Sequence, residues 1–195
     1  MFEEIELGGE FFERLTTIDA EITAKVASEG CGFCGGPLHR SDYTRKPRGG
    51  LVAIAAETFR RRFSLCCGRE GCRRRATPPS VRFLGRRVYV GAVVIVASVV
   101  ALALAAASAA RRATGVPART TRRWLRWWRG PFVATPVFVD IAARMVAVDR
   151  LRLPASVIEA MTPSPEARVR KLLGLVAPLT TSSSPDGSRF VRGLV

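Results

Sequence analysis

Acid is nearly missing from the middle of this sequence. Between residues 31 and 130 only Asp42, Glu57 and Glu70 stand against 21 Arg or Lys residues. Such an imbalance is the electrostatic footprint of a polyanion binder. Lysine is scarce as well, with three Lys against 28 Arg, and the guanidinium favours forked hydrogen bonds to phosphate and to guanine edges. The opening residues MFEEIELGGEFFERL lack the basic n-region and apolar h-region of a secretory signal, so the expectation is that the chain starts in the cytosol. There is no internal repeat, and 195 residues leave no room for a large catalytic domain beside several small modules. Histidine occurs once, as His39.

What is present begins with acid at one end. Residues 1–30 hold eight carboxylates against Arg14 and Lys25, a local net of −6, so a formal total of +15 leaves +21 for the rest. Within 10–28, Leu15, Ile18, Ile22 and Val26 recur at helical spacing among charged residues, which predicts an amphipathic helix.

Five cysteines in a reducing compartment point to metal binding or catalysis rather than to disulfides. CGFCGG at 31–36 puts Cys31 and Cys34 three positions apart, with glycines that permit the tight turn of a metal knuckle. CCGREGC at 66–72 supplies the second half. Cys67 and Cys72 have a spacing similar to the Cys-x4-Cys half of many zinc fingers, and Cys67 is the preferred third ligand. Strand alternation leaves Cys66 as the alternative. The 32-residue spacer between Cys34 and Cys67 exceeds the usual 15–20 or so, which an inserted loop near residues 46–50 would explain. Four protein thiolates leave no open coordination position, so the ion expected is a structural Zn2+. His39, beside the knuckle, reads as a bystander.

Thr77-Pro78-Pro79 is a stiff extended break, because proline fixes its own backbone and restricts the residue before it. The organisation expected is an acidic N-terminal helix (1–29), a zinc ribbon (30–79), a helical module (80–131), C-terminal helices (132–179) and a mobile polar tail (180–195). Two short helices are expected at 137–148 and 166–177. The fold class is mainly α with a small β zinc ribbon.

Residues 88–110 contain no charge, and beyond them runs ARRATGVPARTTRRWLRWWRG. Gly115-Val116-Pro117 resembles the turn of a helix-turn-helix, with 118–129 as the recognition helix. On a helical wheel Arg119, Arg122, Arg123, Arg126 and Arg129 share one face, opposite Thr121, Trp124, Leu125 and Trp128. Arg119, Arg122 and Arg123, near the helix start, suit base edges, while Arg126 and Arg129 suit the backbone.

The uncharged stretch meets the length criterion for a membrane span. Nine of its 23 residues are alanine, and a span would separate the ribbon from the Arg–Trp helix. One or two buried, Ala-rich helices beneath the recognition helix are therefore expected instead, with a single span at the inner membrane as the alternative.

In this order, a knuckle, a basic knuckle running into CRRRATPP, an apolar helix and GVPARTTRRWLRWWR, residues 25–130 resemble the zinc-ribbon and helix-turn-helix front end of bacterial insertion-sequence transposases. The resemblance implies recognition of double-stranded DNA. In those enzymes an RNase-H-like domain with three carboxylates follows. Here Asp140, Asp149, Glu159, Glu166 and Asp186 are too few and too poorly framed by strands for it. The expectation is a non-catalytic, zinc-dependent DNA-binding protein of the cytoplasm and nucleoid, transposon-related or regulatory, with a transposase or other protein as further partner. A membrane protein with a cytosolic ribbon, and an adaptor that holds a protein partner through the ribbon and acidic N-terminus, are the alternatives.

Overall fold

A computed structural model describes residues 7–45, 57–84, 90–105, 107–145 and 148–181. The loop expected near 46–50, the acids Glu3, Glu4 and Glu6, and the tail beyond Thr181 lie outside the described residues. The chain is mainly helical, with two small antiparallel sheets and a cluster of cysteines.

Helix α1 (Gly9–Glu29) buries Phe11, Phe12, Leu15, Ile18, Ile22 and Val26 along one stripe. Each such side chain contributes about 1.5–3 kcal/mol of burial, so the stripe fixes how the helix docks. Gly30, at φ 79, ends α1 and lets the chain turn sharply into Cys31.

Next come β1 (Leu38–Arg40), β2 (Tyr43–Thr44), a single helical turn α2 (Glu57–Arg60), β3 (Arg61–Arg62), β4 (Leu65–Cys67) and β5 (Arg75–Ala76). β4 lies at the centre of a three-stranded sheet, with Leu38 opposite Cys67 and Cys66 opposite Arg75. β2 pairs with β3 in a separate ribbon.

The uncharged stretch forms two helices rather than one. α3 (Gly91–Ala103) is buried on nearly every side, as a central core helix must be. It ends at Leu104 and at Ala105, whose φ of 50 is left-handed, and α4 (Ala107–Thr114) follows. Thirteen residues span about 20 Å at 1.5 Å per residue, short of the roughly 30 Å of a bilayer core. No helix among the described residues is long and apolar enough to cross a membrane.

Gly115, at φ 68, closes α4 by donating its N–H to the Arg111 carbonyl, and after Val116 and Pro117 comes α5 (Ala118–Arg129). The expected helix at 137–148 is α6 (Pro136–Arg144), capped by the Thr135 hydroxyl and with Pro136 in its first turn, and it stops sooner than expected. α7 (Ala155–Glu159), which the sequence pattern did not suggest, precedes α8 (Pro165–Val176). Ser164 caps α8 in the same way as Thr135 caps α6.

The segments expected as separate modules share one core. A single cluster joins Phe11 and Leu15 of α1, Phe59 of α2, Ile95 and Val99 of α3, Trp124 and Trp128 of α5, Phe138 of α6 and Leu172 of α8. Pro78 and Pro79, expected as a stiff break that ends the first module, are buried. Just after them, Arg82 and Asp19 of α1 pair at 2.8 Å with both side chains fully buried. Thr180 and Thr181, expected to begin the mobile tail, are tied to this segment. The Thr180 hydroxyl accepts from the Ser80 N–H, and the Thr181 hydroxyl donates to the Thr77 carbonyl.

Candidate metal centre and nucleic-acid interface

Two knuckles face each other. The first follows α1, where the Cys31 carbonyl accepts from the Cys34 and Gly35 N–H groups and the Gly36 carbonyl accepts from the Cys31 N–H. The second starts in β4, where the Arg69 carbonyl accepts from the Cys72 and Arg73 N–H groups. Positive φ at Gly35 and Gly71 makes both turns tight.

Cys31, Cys34, Cys67 and Cys72 are thereby brought together, with all four sulfurs within 4.8 Å of one another. Cys31 and Cys72 Sγ are 3.8 Å apart, and Cys34 and Cys67 Sγ are 3.5 Å apart. A tetrahedral ion with bonds of about 2.3 Å requires sulfur edges near 3.8 Å, so the cluster already has the dimensions of a four-thiolate site. Each sulfur also accepts from the backbone N–H two residues on: Phe33 for Cys31, Gly36 for Cys34, Arg69 for Cys67 and Arg74 for Cys72. N–H groups aimed at sulfur stabilise thiolate, the form that binds metal.

The four thiols do not ionise alike. The Phe33 N–H holds Cys31 below its ordinary value, and the Gly36 N–H lowers Cys34 to about 7. The Arg69 N–H pulls Cys67 down in the same way, but burial and the other three sulfurs outweigh it and push Cys67 up to about 12. The Arg74 N–H likewise opposes the rise at Cys72, where burial and the sulfurs of Cys34 and Cys31 prevail. Four sulfurs this close cannot all carry charge without a cation among them. Metal loading therefore expels the remaining protons, and acidification opposes it.

Cys66 points away, its thiol turned towards the Arg73 carbonyl at 3.4 Å. Successive side chains of a strand face opposite sides, and the pairing of β4 with β1 turns Cys67 inward. His39 is exposed and packs over Gly68, outside the sulfur cluster. Sequence reasoning missed Arg69, whose guanidinium donates to the Cys34 carbonyl at 2.8 Å and so links the two knuckles. Nothing in the GREG stretch distinguishes it from a solvated arginine.

Gly36 fits beneath the sulfurs because it has no side chain. A Cβ there would lie 3.2 Å from Cys67 Sγ, 3.3 Å from Cys34 Sγ and 3.0 Å from Arg69 Cβ. Gly36→Ala is expected to weaken metal affinity by roughly 10–100-fold, as disturbing the support of a ligand does, and Cys66→Ser to leave it unchanged. Chelator competition measures both. Equal affinity in the Gly36 variant would show that the knuckles yield freely.

On α5, Thr121, Trp124 and Trp128 are buried and Leu125 is half-buried. Trp128 stacks edge-on against Phe132, which in turn meets Phe138. Arg119, Arg122, Arg123, Arg126 and Arg129 are all exposed. The cationic face is thus presented to solvent by a helix whose other side is locked into the core.

Comparison with protein-family models, with curated proteins and with solved structures finds no match to this chain.

Proposed function

We propose that this chain is a non-catalytic DNA-binding protein whose cysteine module is a zinc ribbon. Tetrahedral sulfur donors suit zinc or iron, and zinc, having no redox chemistry, would act as a fold element. Cys31, Cys34, Cys67 and Cys72 would hold it. Helices α4 and α5, joined by a three-residue turn, would work as a helix-turn-helix on double-stranded DNA. A transposon-related or regulatory setting rests on the order of parts and on the basic charge. Localisation at the nucleoid follows from the same binding.

The observation that carries this reading is the division of α5. Its aromatic face is buried, while five arginines, Arg119, Arg122, Arg123, Arg126 and Arg129, remain exposed along the other side. Each phosphate neutralised releases condensed counterion, so log affinity should fall with log salt at a slope near −0.9 per contact. Arg126→Gln or Arg129→Gln should weaken binding to all duplexes alike and lower the slope by about one. Arg119→Gln or Arg122→Gln should cost roughly 1–3 kcal/mol more on a selected site than on random duplex, as a guanine contact would. Fluorescence anisotropy over a salt series reads both effects. A zinc-loaded protein with no duplex affinity at low salt, or four silent substitutions, would sink the reading and leave the adaptor in its place.

A further inference from the structure

A second basic surface lies on the cysteine module, away from the sulfurs. There α1, β1, β2 and β3 frame a groove of about 960 Å³, lined among others by Arg40, Tyr43, Thr44, Arg61 and Phe63. Arg40 and Arg61 line it, and Arg45 and Arg75 lie beside it against the Tyr43 ring. The Arg40 guanidinium lies 4.6 Å over the Phe63 ring. Those of Arg45 and Arg75 lie 5.0 and 5.6 Å from the Tyr43 ring, and Arg45 also donates to the Tyr43 hydroxyl. Arg75 is steadied further by the Ser41 carbonyl and the Ser64 hydroxyl. Stacking holds the planar guanidinium in place while its N–H edges remain donors, so less side-chain entropy is lost when an anion arrives.

The one carboxylate that lines the groove is already engaged and offsets part of the charge of Arg40. Asp42 already accepts from the Ser64 N–H at 3.1 Å and pairs with Arg40 at 3.3 Å. With α1 counted, residues 7–45 and 57–84 hold eleven Arg and one Lys against eight carboxylates, so the surroundings are cationic on balance.

We propose that this groove binds single-stranded nucleic acid, with phosphates on Arg40 and Arg61 in the groove and on Arg75 beside it, and a base against Tyr43. Cations that track a backbone, together with an aromatic ring within reach of a base, are the chemistry that holds a single strand irrespective of sequence. None of the α5 arginines takes part, so this proposal and the duplex-binding one stand or fall separately.

The test uses the full zinc-loaded chain with labelled oligothymidylate and oligouridylate, and a labelled duplex in parallel. Arg40→Gln with Arg75→Gln should lower affinity for the single strand by about tenfold or more. The salt slope should fall by about 1.4, at roughly 0.7 per contact. Duplex affinity should be unchanged. Arg122→Gln with Arg126→Gln should give the reverse pattern. Tyr43→Leu should weaken the single strand with its salt slope unchanged. Both arginines of the first pair are exposed, so that variant keeps the test intact if the Tyr43 variant fails to retain zinc. No single-strand affinity, no loss in the Arg40/Arg75 variant, or an equal loss for strand and duplex would overturn the proposal.

Discussion

On the proposed zinc ribbon, Cys31→Ser and Cys72→Ser are each expected to abolish stoichiometric zinc and to unfold the segment from about residue 30 to 76, while the helical core persists. The strands there are two or three residues long. Sheets so small are not stable by themselves in water. Structural zinc binding, worth on the order of 10–16 kcal/mol in zinc-finger peptides, far exceeds what such strands supply. The effect should stay local because the helical part of the core, around Ile95, Trp128, Phe138 and Leu172, draws on none of the cysteines. Metal analysis, far-UV circular dichroism and limited proteolysis check this together. The expected pattern is less than one zinc per ten chains, a largely retained helical signal, and new cleavage sites confined to the cysteine module, with the factor of ten an order-of-magnitude figure. Full zinc retained by either variant would rule out the four-thiolate site. Global unfolding would show that the module and the core are a single cooperative unit.

Much of this was legible because local and tertiary demands agree. The 3.6-residue wheel separates the α5 arginines from Trp124 and Trp128, and burial follows the same line. The knuckle spacings brought the same four cysteines to notice that the fold assembles. Choosing between Cys66 and Cys67 required the register of β4 on β1, which couples residues almost thirty apart and leaves no mark in the local pattern. The break between α3 and α4 was hidden for a different reason. Alanine, valine and leucine run through it without a polar or glycine signal, and only the left-handed Ala105 marks it. The short α7 was missed for want of any periodicity in five residues.

Least legible of all was Asp19, which in sequence is one more acid on an amphipathic helix and in the fold is fully buried. Its carboxylate accepts from the Ser80 hydroxyl at 2.6 Å, the Val81 N–H at 2.7 Å and Arg82 Nε at 2.8 Å. Arg82 also donates to the Phe59 and Arg61 carbonyls, and its guanidinium lies 4.4 Å over the Phe63 ring. Asp19→Ala would leave that guanidinium buried with no counter-charge. Breaking such a pair is expected to cost about 3–5 kcal/mol, a fall in Tm on the order of 10 °C for a chain of this size. Arg82→Met should be comparably harmful, because the carboxylate would then keep only its neutral donors. The pair variant Asp19→Leu with Arg82→Met should be much less unstable than the sum of the two, since it buries no uncompensated charge. Thermal and urea denaturation of the zinc-loaded proteins measure all three. Zinc content should hold in each variant below its transition, because none of these atoms touches a cysteine knuckle. A loss below about 1 kcal/mol in the single variants, or strictly additive effects in the pair, would mean that the Asp19–Arg82 contact does not fasten α1 to the segment after the prolines.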